Sequence, residues 1–177
     1  MKKIVAIGPE STGKSTLCKS LATHFSAPWC PEFAREYLME NGTDYSYDDL
    51  LLIAKGQVKL EDEIYNSYQK HAGYYFIDTD LFVLKVWSEY VFGKCHPFIL
   101  EQIALRKYDF YFLCNTDFPW VKDPFRECPE EQKRLELFHI YKDLLIHQNT
   151  PWKMIEGNET NRLKSAITAI QCLEKPL

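Results

Sequence analysis

Residues 2–15 read KKIVAIGPESTGKS, and the second half of that stretch, Gly8-Pro9-Glu10-Ser11-Thr12-Gly13-Lys14-Ser15, fits G-x-x-x-x-G-K-[ST] at every fixed position. The run before it is β-branched and apolar, which suits a buried parallel strand entering a turn. After it, Leu17, Leu21, Ala22 and Phe25 share one face of a helix expected over residues 14 to about 24. A strand that ends in such a turn, with a helix starting from it, gathers backbone N–H groups and the positive end of the helix dipole in one small volume. Phosphate oxygens need that arrangement. Gly8 and Gly13 leave room for close approach. Lys14 is expected to place a point charge at the β and γ phosphates of ATP, the Ser15 hydroxyl to ligate Mg²⁺, and Thr16 to support the α-phosphate.

Beyond this loop, strands and helices alternate. A short proline-bounded segment around residues 28–32 is expected as a second strand, with Glu32 and Arg35 at its end. Leu51, Ile53, Ala54, Val58, Ile64 and Tyr68 recur near helical spacing and predict one long amphipathic helix over residues 47 to about 70. Tyr74-Tyr75-Phe76-Ile77 stops abruptly at Asp78-Thr79-Asp80, the pattern of a buried strand delivering carboxylates at its carboxyl end. Helices over residues 81 to about 92 and 98–107, a strand over 110–114, a helix over about 130–147, a last strand over 152–155 and a terminal helix over about 161–173 follow. The expected fold is α/β: three layers around a mostly parallel five-stranded sheet of the P-loop NTPase type, in a single domain over residues 1–177.

Composition removes several classes of function. With 46% hydrophobic and 26% charged residues and no low-complexity run, the chain has an ordinary globular profile and not a disordered one. A formal charge of -4, with no stripe of Lys and Arg, argues against a general nucleic-acid binder. The apolar stretch at 4–7 is too short for a signal segment or a membrane span, so a cytoplasmic protein with no membrane partner is expected. The six cysteines form no C-x-x-C pair and the five histidines no H-x-x-x-H pair, so free thiols are expected and structural zinc is not.

In an open parallel sheet, ligands bind beyond the carboxyl ends of the strands, where Glu32 and Asp78 are both expected to fall. Phosphoryl transfer asks for a carboxylate near the metal and a residue that accepts the acceptor's hydroxyl proton. Asp78 is the candidate for the Mg²⁺ shell, with helix capping as its alternative. Glu32 is the first candidate for the base and Asp80 the second. Arg35 either grips a ribose or phosphate or forms a surface ion pair. The polar, proline-broken stretch from Asn115 to Pro129 holds Trp120, Lys122 and Arg126, which suits a mobile lid over about residues 115–135. Closing it would bring a cation to the transferring group, Arg126 being the first candidate and Arg134 the second; the alternative is a solvated loop held by Trp120 packing on the body, with Arg126 free in water. Tyr37, Tyr65, Tyr68 and Trp87 are available to stack on a base, though most aromatics in such a chain belong to the core.

Four blocks together, GPESTGKSTL at 8–17, EFAREY at 32–37, FIDTDLFVLKVW at 76–87 and WVKDPFRECP at 120–129, resemble the ribosylnicotinamide kinase module of NadR-type NAD-biosynthesis proteins. The resemblance covers about residues 4–135. It implies a nucleoside-kinase-like fold that transfers the γ-phosphate of ATP to the 5′-hydroxyl of nicotinamide riboside. Lys14, Ser15 and the loop amides would hold ATP, Asp78 would sit near Mg²⁺, Glu32, Arg35 and Asp80 would face the riboside, and Arg126 would belong to the lid. NadR-type proteins are described as carrying further domains, and this sequence is expected to hold the kinase module alone. The block Gly157-Asn158-Glu159-Thr160-Asn161-Arg162 falls where nucleoside kinases often frame the adenine. A kinase for another nucleoside or nucleotide, and a regulatory P-loop ATPase, are the competing readings, and GTP is an alternative donor.

Overall fold

Five short apolar runs form the strands and longer amphipathic runs the helices of the computed structural model, which describes residues 1–173. The elements are β1 (Lys2–Ile7), α1 (Lys14–Phe25), β2 (Trp29–Cys30), α2 (Phe33–Asn41), α3 (Tyr47–Ser67), β3 (Tyr74–Asp78), α4 (Leu81–Phe92), α5 (Pro97–Leu105), β4 (Phe110–Cys114), α6 (Glu131–Ile146), β5 (Trp152–Ile155) and α7 (Glu159–Cys172). All strand pairs are parallel and the sheet order is β2-β3-β1-β4-β5. β1 is therefore central, with Ala6 level with Asp78 on one side and Ile7 level with Leu113 on the other. Chain order and sheet order part company there, because β3 separates β1 from β2, and such a switch opens a crevice at the strands' carboxyl ends.

β3, β4 and the second half of β1 are buried on both faces, which explains why they read as continuous apolar runs instead of alternating ones. Ile4, Ala6, Phe76 and Phe112 face α1 and α7, meeting Leu17, Leu21, Ala166 and Ile170. Val5, Ile7, Ile77 and Leu113 face the other way onto Val86 of α4 and Leu137, Phe138 and Tyr141 of α6. These are the three layers. A further cluster, Leu50, Ile53 and Ala54 of α3 with Leu81, Leu84 and Ile99, packs α3 against α4 and α5.

Two features depart from the sequence expectation. The segment FAREYLMEN forms α2, a helix with no readable apolar stripe because only Leu38 in it is buried. It is held from outside: a Cβ on Gly56 of α3 would lie 2.0 Å from the Phe33 ring, so the glycine is what lets the two helices meet. Beside it, Gln57 Oε1 accepts the Phe33 N–H at 2.8 Å. α3 itself buries Leu50, Ile53, Ala54, Gln57 and Glu61, while Tyr68 lies outside the helix and is exposed. Glu61 is satisfied where it is, by Tyr108 at 3.0 Å and Arg106 at 2.8 Å. Among the described residues no helix is long and apolar enough to cross a membrane.

Candidate active site

The cradle grows directly out of β1. Gly8 has φ +143, and a Cβ there would stand 2.7 Å from the Cys114 carbonyl oxygen, so the loop can leave the sheet between β3 and β4 only as glycine. Ser11 and Gly13 also take positive φ, 57 and 78, which curls the loop before Gly13 caps α1 without a side-chain bond. No acid lies in the first turn of α1, so the positive end of its dipole is unopposed. Thr12 is buried and donates to the Pro9 carbonyl at 2.7 Å; the Lys14 ammonium donates to the same oxygen at 2.9 Å and is held over the loop.

Asp78 ends β3 beside this loop and is 1% exposed. Burial pushes its carboxyl above the usual range, while the Lys14 ammonium and hydrogen bonds from Ser15 and Thr79 pull the other way. The Ser15 hydroxyl and the Asp78 carboxylate are thus neighbours, an oxygen pair of the kind Mg²⁺ takes when it keeps most of its waters. Thr79 adopts φ 71, a strained conformation for a β-branched residue, and its N–H donates to Ala6 O at 3.0 Å. Asp80 therefore leaves the cleft. It accepts the Phe82 N–H at 3.0 Å as the cap of α4 and the Tyr111 hydroxyl at 2.7 Å, and burial pushes its carboxyl up to about 7. It lines a separate cavity of about 230 Å³ with Arg106, Tyr108 and Tyr111. The expectation that Asp80 faces the acceptor is corrected on this point: the capping role considered for Asp78 belongs to Asp80.

Glu32 caps α2 by position but makes no side-chain capping bond. Its carboxylate turns into a cleft of about 530 Å³ that also takes in residues 8–16, Arg35 and Asp78. Burial raises Glu32 to about 6 against the pull of Lys14. Aromatic rings also line the cleft: Trp87, Tyr45 and Tyr141, with the Trp87 indole N–H donating to the Tyr45 hydroxyl at 2.6 Å. Of the four stacking candidates read from the sequence, Trp87 alone lines this cleft. Tyr37 donates to Asp49 at 2.5 Å instead.

The segment between β4 and α6 lies across the cleft. Arg35 is paired with Asp123 at 2.7 Å and stands 5.2 Å from the Phe125 ring, so it meets this segment as well as the cleft. Arg126 reaches the cradle, its Nη1 donating to Ser11 Oγ at 3.2 Å and to Val121 O at 2.6 Å. Trp120 meets the cradle as well, its indole N–H donating to Glu10 Oε1 at 3.1 Å. Arg134 is buried behind the segment and donates to Phe118 O at 3.1 Å.

The structure gives three residues work that the sequence did not show: Gln57 had no expected role, Glu10 was expected only as part of the nucleotide-binding loop, and Arg162 only as part of the block that frames the adenine. Arg162 is 2% exposed and donates to Gly157 O at 2.7 Å, Thr12 O at 2.8 Å and Asn115 O at 3.0 Å, pairs with Asp117, and lies 4.1 Å over the Phe118 ring. It ties the cradle to the ends of β4 and β5. Gln57 anchors the start of α2, and with it Glu32 and Arg35; the glycine next to it, inside a helical pattern, was the visible signal. Glu10 sits at an unspecified position of the loop motif, and nothing local marks it.

A model of the AAA domain family matches residues 3–162. The trifunctional NAD biosynthesis/regulator protein NadR of Escherichia coli is 29% identical over 163 residues, covering 90% of this chain and 39% of the relative. Among solved structures, a NadR protein in complex with NR matches with a TM-score of 0.78 at 23% identity, over 99% of this chain and 51% of the other. A NadR protein in complex with NAD and AMP-PNP matches with a TM-score of 0.76 at 24% identity, over 96% and 48%. The chain thus spans well under half of the curated relative and about half of each solved chain.

Proposed function

The chain belongs to the AAA domain family, and on that footing we propose that it is an ATP- and Mg²⁺-dependent kinase for a small molecule, with the 5′-hydroxyl of nicotinamide riboside as acceptor and nicotinamide mononucleotide as product. One observation supports the reading: a single cleft is lined by the phosphate cradle, by the carboxylates of Glu32 and Asp78 and by the aromatic rings of Tyr45, Trp87 and Tyr141. A nucleotide-operated switch needs only a positioned water beside the γ-phosphate and has no use for Glu32 or the rings. The riboside is preferred among nucleosides because of the likeness to the NadR protein in complex with NR.

The residues divide the work by position. Lys14 and the amides of residues 8–16 hold the phosphates, and Ser15 and Asp78 hold the metal. Bound ATP supplies the phosphoryl group and Mg²⁺ neutralises charge on its oxygens. Glu32, raised to about 6, is ionised at neutral pH yet basic enough to take the proton of the acceptor hydroxyl. Arg35 faces the sugar, Trp87 and Tyr45 bound the base, and residues 115–135 act as the lid, with Arg126 as the cation it brings to the cradle. Asp80 supports the site from behind, as the cap of α4. The reaction belongs in the cytosol, where thiols such as the six free cysteines stay reduced.

The test is ADP release by the purified protein with ATP and Mg²⁺, with and without a panel of nucleosides. Strong stimulation by nicotinamide riboside alone is the expected result. The same slow release whatever acceptor is present would replace the kinase by a switch; stimulation by another nucleoside would replace the substrate.

A further inference from the structure

The carboxylate of Glu10 stands in the cradle, but its bonds go to the lid. Oε1 accepts the Trp120 indole N–H at 3.1 Å and the Cys128 N–H at 2.5 Å, and Oε2 accepts the Glu127 N–H at 2.9 Å. The next residue continues the seam: Ser11 Oγ accepts the Val121 N–H at 3.1 Å and Arg126 Nη1 at 3.2 Å. A carboxylate only accepts, so three donors converging on one such group form a charge-assisted anchor. Cys128 is 3% exposed, so its N–H has little access to water if Glu10 is removed. Past the anchor, the same backbone carries Glu127, which lines the cleft together with Tyr45 and Trp87. The Glu127 carboxylate faces the Tyr45 hydroxyl, and that hydroxyl takes the Trp87 indole N–H at 2.6 Å. An uninterrupted set of polar contacts therefore runs from Glu10 in the donor half, through the backbone of residues 127–128, to Tyr45 and Trp87 in the other half.

We propose that Glu10 is a positioning residue that couples the two halves of the site: by seating residues 127–128 on the cradle it fixes where Glu127, Tyr45 and Trp87 stand. The words donor and acceptor rest on the kinase reading above; the seating of the segment does not. The hydrogen bonds of the Glu10 side chain go to Trp120, Glu127 and Cys128 and not to the phosphate-binding Lys14 or Ser15, so its removal acts on the acceptor side while the cradle keeps its shape.

The experiment compares wild type with Glu10→Ala in three readings: hydrogen–deuterium exchange across residues 118–130, AMP-PNP affinity, and KM for the acceptor nucleoside. Exchange at Glu127 and Cys128 is expected to accelerate at least about tenfold, because those amides lose a charged partner, while exchange in the strands stays as it was. Acceptor KM is expected to rise about tenfold with AMP-PNP affinity within about twofold. A purely structural defect would weaken both ligands together. Unchanged exchange at 127–128 overturns the proposal, as does a fall in AMP-PNP affinity that matches the rise in acceptor KM. If Glu10→Ala does not fold, Trp120→Phe removes a single donor from the same anchor and should speed exchange there about threefold; no change in that variant overturns the proposal too. Should wild type phosphorylate no nucleoside, the kinase reading falls, and exchange still decides whether Glu10 seats the segment.

Discussion

Replacing Asp80 with Asn should make the protein more stable at pH 8 and leave its turnover intact. Asp80 is 2% exposed, and burial is the largest influence on it, lifting its carboxyl from the ordinary 3.8 to about 7 despite bonds from Tyr111 and Phe82. A carboxyl whose folded pKa lies above its unfolded one binds its proton more tightly in the folded state. The stability tied to it is complete below about pH 4 and is lost as pH rises through about 7. Between pH 5 and pH 8 about two units of that shift are traversed, roughly 3 kcal/mol at about 1.4 kcal/mol per unit. Asparagine keeps the shape: its Oδ1 still accepts the Phe82 N–H, its amide donates to the Tyr111 oxygen, and it never ionises. Urea unfolding of both proteins at pH 5 and pH 8 reads the difference. The gain from Asp80→Asn should be larger at pH 8 than at pH 5 by roughly 3 kcal/mol, with equal m-values. Parallel stability–pH curves would refute the reasoning, and a large loss of kcat/KM would return Asp80 to the acceptor site.

Other perturbations address the cleft. Lys14→Ala should lower transfer at least about a hundredfold with little change in unfolding midpoint, because its ammonium serves phosphate and only one loop carbonyl; normal turnover would dismantle the scheme. With Glu32 as base, kcat/KM should climb as pH rises through about 6, since only the ionised form accepts a proton. Glu32→Gln should flatten that limb and reduce the rate about 10²-fold or more, and a surviving limb near 6 would assign the base elsewhere. Arg162→Ala should cost about 3–5 kcal/mol by leaving buried carbonyls without a donor, discounted somewhat because Asp117 is 32% exposed. Arg162→Lys should not restore it, since one ammonium cannot reproduce a planar fork that meets four partners. Urea denaturation checks both, and a loss below about 1 kcal/mol for Arg162→Ala would mean the clamp is idle.

The sequence by itself determined the parts whose cause is contiguous in the chain. The apolar run of β1, the glycines of the loop and the stripe of α1 are neighbours along the backbone, so their hydrogen bonding and periodicity were legible as one unit, and so was the abrupt end of β3 at Asp78. Tertiary structure decided what depends on partners far apart. α2 exists because Gly56 and Gln57 of another helix receive Phe33, and its own residues bury only Leu38. Asp78 and Asp80 look equivalent in Asp-Thr-Asp, and the positive φ of Thr79 sends one to the cradle and the other to the cap of α4. Arg162 meets Thr12 from 150 residues away, and Glu10 meets Cys128 from 118. Their side chains carry no local period, since what brings them together is the order β2-β3-β1-β4-β5, which stacks the loops after β1, β4 and β5 side by side at the carboxyl edge of the sheet. That order is set by which hydrophobic faces are buried together, a property of the packed whole that no single segment contains.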